Sequence, residues 1–149
     1  YADNPEWIDE SDAIRGNAEF AYSDHKRQVE ELLASFRSKH PELQQLIFRP
    51  GTVLGSETRN QITGLFEAKR ILTIKGSDSP FVFIWDQDVL AAMEMGIRED
   101  KHGIYNMAGD GALTLREIAP CRSPNGWANR LVRSRSTFCA TARYSVTAG

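Results

Sequence analysis

The feature that most constrains this fold is an order of patterns: a helical period over 17–39, a proline stop, then at once a strand-like run ending in Pro-Gly. Phe20, Val29, Leu32, Leu33 and Phe36 recur at the spacing of one helix face, while Arg27, Glu30, Glu31 and Lys39 fall on other faces. Asn17 is read as the N-cap. His40-Pro41 is read as the stop, because a residue before proline avoids the helical region. Leu43 to Phe48 follows as a buried strand. A helix that feeds a strand directly implies a crossover unit, a parallel sheet and the α/β class. The turn at Arg49-Pro50-Gly51 then stands at the strand's C-terminal end, where open α/β sheets bind ligands.

Around this unit, the acidic, turn-rich stretch Tyr1 to Gly16 reads as a loop over the front of a cleft, and Ser56 to Asn60 as a polar loop. Gln61 to Arg70 reads as a short helix and Ile71 to Ile74 as a strand. Phe81 to Trp85 carries the strongest β signal, a continuous aromatic and β-branched run. Asp86 or Asp88 is expected to cap a helix running through Val89, Leu90, Met93 and Ile97. Gly103 to Met107 reads as a strand, and Thr114-Leu115-Arg116-Glu117 as a capping box opening one more helix. Beyond Ala119 the pattern stops: residues 120–149 hold five Arg, no Lys and no acidic residue, without apolar period. Residues 1–119 are therefore read as one folded unit and 120–149 as an irregular tail, frameshifted or disordered.

Composition narrows the function classes. The 149 residues are 41% hydrophobic and carry a net charge of -2, with a pI near 5.9. That suits a globular domain with its own core and argues against nucleic acid or an anionic membrane as partner. No apolar run reaches the roughly 20 residues of a membrane span, and no basic-then-apolar leader opens the chain, so cytoplasmic residence is expected. The start at Tyr1 rather than Met suggests that an upstream portion is missing. Cys121 and Cys139 match no metal or redox spacing and read as free thiols.

The segment with chemistry to offer is Tyr22-Ser23-Asp24-His25-Lys26. Residues four apart on a helix share a face, so the phenol and the ammonium can open toward one cleft, with Val29 and Leu33 continuing that face to pack the helix down. A free phenol holds its proton until about pH 10, and a neighbouring ammonium favours the phenolate. A Tyr so placed can give or take a proton at a carbonyl or alcohol oxygen.

With these pieces in place the chain resembles the C-terminal half of an extended short-chain dehydrogenase/reductase, the NAD-dependent epimerase/dehydratase family. Tyr1-Ala2-Asp3 looks like the family's Tyr-Gly-Asp, and Tyr22 to Lys26 like its Tyr-x-x-x-Lys. Arg49-Pro50-Gly51-Thr52-Val53-Leu54-Gly55 is similar to its Arg-Pro-Gly-Asn-Val-Tyr-Gly loop, with Thr52 and Leu54 as departures. Phe83 to Val89 looks like its Phe-Val-His-x-Asp-Asp-Val segment; Ile104 to Gly109 and Leu113 to Glu117 fit its closing strand and helix.

The resemblance implies an incomplete Rossmann-like fold, parallel strands with crossover helices plus a small substrate-binding portion. It implies NAD or NADP as cofactor, with Tyr22 as acid/base and Lys26 on the nicotinamide ribose. Pro50 and Gly51 would line the nicotinamide end, and Thr52, Arg59 and Asn60 would face a small-molecule substrate, a nucleotide sugar or a sterol-like carbonyl compound. It also implies a homodimer through the Tyr22 helix. The family's glycine-rich pyrophosphate turn and its catalytic Ser/Thr precede Tyr1, so this chain alone is expected to bind a dinucleotide poorly and to be inactive. The alternative within the same fold is a non-catalytic NAD(P)-binding sensor or accessory subunit.

The remaining polar residues carry simpler readings. His25 reads as a solvent-facing helix residue, and His40 and His102 as turn residues without ligand-spaced partners. Asp86 and Asp88 read as cap and polar anchor, and Phe83 and Trp85 as core.

Overall fold

A computed structural model of the chain describes residues 7–59, 62, 64 and 80–118. In order these form α1 (Ala21–Lys39), β1 (Leu46–Pro50), β2 (Thr52–Leu54), β3 (Pro80–Phe81), β4 (Phe83–Trp85), α2 (Asp86–Arg98), β5 (Gly103–Met107), β6 (Leu113–Thr114) and α3 (Leu115–Ile118). The chain is α/β. β1 pairs with β5 and β2 with β4, both in parallel, and β3 pairs antiparallel with β6. Parallel neighbours need a crossover between them, and α2 lies in the connection from β1 to β5.

β1 and β2 are nearly one strand with a change of partner at Gly51. The Gly51 amide donates to the Met107 carbonyl at 2.9 Å, closing the β1–β5 ladder, and the Thr52 amide donates to the Val82 carbonyl at 3.0 Å, opening the β2–β4 pairing. On the other side of β4, the Gly109 amide donates to the Phe83 carbonyl at 2.6 Å. β4 thus sits where the β1–β2 run and the continuation of β5 part. Gly51 is required by this approach: a Cβ there would stand 2.8 Å from Val82 Cγ2 and 3.0 Å from its carbonyl oxygen.

The strand period of two puts helices on both faces. Leu46 and Phe48 point to α2, where a Cβ on Gly96 would run into Leu46 Cδ2 and stand 3.7 Å from Phe48 Cζ. Arg49, one residue out of phase with Phe48, reaches α1 through Glu30. On the α2 side Ile84, Ala92 and Met107 form a buried cluster with Phe48, Val53 and Val89 around it. A second cluster joins Leu54 to Ile118, packed by Ile62, Phe81, Phe83, Trp85, Leu113 and Leu115.

Several element boundaries differ from the sequence reading. α1 begins at Ala21 after an extended Phe20 without a side-chain cap; Asn17 instead makes an Asx turn, its Oδ1 accepting from the Glu19 amide at 3.0 Å. β1 starts at Leu46 rather than Leu43, because Leu43 closes a turn onto the His40 carbonyl and is exposed. Pro50 belongs to the strand, and the expected turn shrinks to the bend at Gly51. The run Phe81 to Trp85 is interrupted at Val82, whose carbonyl serves Thr52.

Neither Asp86 nor Asp88 is the N-cap of α2. Trp85 occupies that position, and the Asp86 carboxylate accepts from the Gln87 amide at 2.7 Å. The large apolar residues of α2 turn outward, Ile97 being 78% exposed with Leu90 and Met93 also exposed, while Val89, Ala92 and Gly96 face the sheet. The end at Lys39 before His40, the strand Gly103–Met107 and the capping box stand as read. Of the helix over 61–70, Ile62 and Gly64 are helical and the rest lies outside the described residues, as do the strand at 71–74, both cysteines and the tail.

Candidate functional site

The N-terminal half of α1 carries the candidate chemistry. The Lys26 ammonium lies over the Tyr22 ring, 5.5 Å from its centroid, so the two side chains share a face as their spacing requires. Both are open to solvent, Tyr22 at 59%, and Phe20 tilts against the Tyr22 ring at 6.0 Å. The expected apolar continuation of that face does not hold the helix down: Leu33 is half-buried, Val29 is exposed, and α1 buries none of its residues.

What bonds the helix to the sheet is polar. Arg49 forks onto Glu30, Nε to Oε1 at 2.8 Å and Nη2 to Oε2 at 2.6 Å, with both side chains 20% exposed. Arg49 Nη1 also donates to the Glu10 carbonyl at 3.3 Å, and the Glu10 carboxylate accepts from the Asn106 amide at 2.7 Å. Arg49 and Asn106 are register partners near the C-terminal ends of β1 and β5, so the loop carrying Glu10 lies across those ends.

That loop is locally ordered. The Asp9 carboxylate accepts from the Ser11 hydroxyl at 2.6 Å and the Ser11 amide at 2.8 Å, which hold it below the usual carboxylate range. Next to it on α1, Arg27 bridges Asp24 at 2.9 Å and Glu31 at 2.6 Å. Hydrogen bonds from Arg27 and then Gln28 lower the Asp24 pKa, and those to Glu31 and then Asp24 raise that of Arg27.

Pro50, Gly51 and Thr52 follow Arg49 directly at the change of strand partner. Arg59 is exposed in the loop after β2, and Asn60 lies outside the described residues. At the far side of that loop, Gly55 is buried, and a Cβ there would collide with Asp86 Oδ2 and Thr58 Oγ1. Among the described residues no group of His, Cys, Asp and Glu is arranged to hold a metal, and no helix is long and apolar enough to cross a membrane.

Sequence reading missed Glu30 and Glu10. The apolar period puts Glu30 off the packed face, yet it lies four residues after Lys26 and eight after Tyr22, the i, i+4, i+8 series of one stripe. Glu10 carried no local signal, because its partners are distant in sequence.

No family model and no curated protein matches the chain. Among solved structures it is similar to the UDP-N-acetylglucosamine 4-epimerase from Bacillus cereus, at 18% identity and a TM-score of 0.48, over 77% of this chain and 43% of that one. The chain thus spans less than half the length of this neighbour, and a likeness at that level assigns neither residues nor activity to it.

Proposed function

We propose that this chain is the substrate-side part of an NAD(P)-dependent oxidoreductase or epimerase/dehydratase acting on a carbonyl or alcohol. The observation that carries the reading is the Tyr22 phenol and Lys26 ammonium on one exposed face of α1, the helix tied to the strand end that leads into Pro50 and Gly51. The donor set fits the dinucleotide's nicotinamide end: an ammonium with three donors suits ribose hydroxyls, and a phenol suits the substrate oxygen. A bound nicotinamide supplies the hydride acceptor or donor.

The chain's own residues do the rest. Tyr22 gives or takes the proton of the substrate oxygen, Lys26 holds the ribose, and the bend at Pro50 and Gly51 lets backbone lie against the nicotinamide. Thr52 and Arg59 face the substrate, of nucleotide-sugar or sterol-like type. Cytoplasmic residence and a second copy docked on α1, across its exposed Val29, Leu32 and Phe36, belong to the same reading.

In the full-length protein, Tyr22→Phe should lower turnover by about 10²–10⁴, the usual share of acid/base catalysis, with dinucleotide affinity nearly unchanged. Turnover equal to wild type would reject the acid/base assignment. Dinucleotide binding without turnover in the unmodified protein would favour the sensor or accessory subunit.

A further inference from the structure

Resting on the reading just given, we propose that Arg49 and Glu30 form a positioning device that sets where the Tyr22–Lys26 face stands relative to the bend at Pro50–Gly51. α1 buries no residue fully, and of its apolar side chains only Leu33 and Ala34 are half-buried, so polar ties carry much of its placement. At its C-terminal half the tie is Gln45, whose Nε2 donates to the Leu33 carbonyl at 3.1 Å while its Oε1 accepts from Arg37 at 2.7 Å. Nearer the reactive half, at mid-helix, the tie among the described residues is the Arg49 fork.

Two near-parallel bonds between a planar guanidinium and a carboxylate fix orientation as well as distance. Glu30 stands one turn, about 6 Å along the axis, from Lys26 and two turns, about 12 Å, from Tyr22. Arg49 is bonded to Pro50, with Cα atoms about 3.8 Å apart. The fork is thus one helical turn from the ammonium and one residue from the bend. Arg49 also holds the Glu10 carbonyl, so the same side chain places the loop that crosses the strand ends. A lysine would keep the charge and lose the fork, since an ammonium makes rotatable single contacts.

The test reads geometry rather than activity. A nitroxide on His25→Cys, an exposed position of α1, is placed in a Cys121→Ser/Cys139→Ser background of the 149-residue chain, and paramagnetic broadening is read at the Gly51, Thr52 and Met107 amides. Arg49→Lys and Glu30→Gln should each reduce the broadening at Gly51 at least two-fold, and the Glu30→Arg/Arg49→Glu swap should restore it. Unchanged broadening in a folded Arg49→Lys chain whose denaturation midpoint falls would make the pair merely stabilising and overturn the proposal. A folded swap that fails to restore it would do the same. Tyr22→Phe leaves this readout unmoved, so a failed acid/base assignment and a failed positioning role are told apart.

Discussion

Gly51 shows how much one missing side chain can decide. It is the point where one strand leaves β5 for β4, and the space for a Cβ is already taken by Val82, whose backbone cannot yield as a side-chain end would. Gly51→Ala should therefore lower stability by about 1–3 kcal/mol, the usual cost of overpacking, read as a shifted urea midpoint. Asp100 is the opposite case. It takes φ 51 at the end of α2, where the Lys101 amide donates to the Gly96 carbonyl at 2.8 Å and the Asp100 amide to the Ile97 carbonyl at 3.3 Å, a Schellman closure. Asp100→Gly should raise stability by about 0.5–1 kcal/mol, since glycine adopts that conformation without a Cβ penalty.

At the scale of elements, legibility followed the range of the interactions that define each one. The capping box of α3 was readable because both partners lie within four residues. The Thr114 amide and hydroxyl donate to Glu117 at 2.8 and 2.9 Å, and the Glu117 amide donates back to the hydroxyl at 3.3 Å. Those bonds, the backbone one first, hold the Glu117 carboxyl below its usual value of 4.5. A folded pKa below the unfolded one means that the carboxylate's part of the box contributes fully above about pH 4.5 and is lost as pH falls through the folded value, while the bond from the Glu117 amide to the hydroxyl stays. Thr114→Ala should lower the unfolding midpoint near neutral pH, and the shift should be smaller in acid; equal shifts at both pH values would count against the carboxylate's part in the box.

α2 is legible as a helix, but which of its sides packs is not. Leu90, Met93 and Ile97 carry most of the hydrophobicity, yet the side that packs is Val89, Ala92 and Gly96, with Leu46 so close at Gly96 that no Cβ fits there. Periodicity finds the greasy stripe, and it cannot tell that a neighbour demands the small one. Gly96→Val should destabilise by about 1–3 kcal/mol, read by thermal unfolding, because its branch enters the space of Leu46.

Across the whole molecule, the α/β class and the parallel pairing were legible from the helix-then-strand order, because a crossover leaves a sequence signature. The change of partner at Gly51 and the long reach of Glu10 to Asn106 were not, since no local pattern marks a residue whose partner lies in another element. Of the candidate site, Tyr22 and Lys26 were found by helical spacing, and Arg49 was noticed only as part of a loop, without its carboxylate. The buried hydrophobic set among the described residues is small, Leu54, Ile84, Ala92, Met107 and Ile118, and Ile118 is 1% exposed. Ile118→Ala should cost about 2–5 kcal/mol in a denaturant titration.

The strand pairing also sets the tempo of assembly. Among the described residues no ladder joins two strands across a tight hairpin: β1 must find β5, β2 must find β4, and β3 must find β6, each after a long stretch of chain has closed. Loop-closure entropy is spent before those contacts return anything, so the nucleus is costly and refolding is slow for a chain of this size. Mutations at the β1–β5 seam should act mainly on the refolding rate, and those at the half-buried Leu33 of α1 mainly on the unfolding rate.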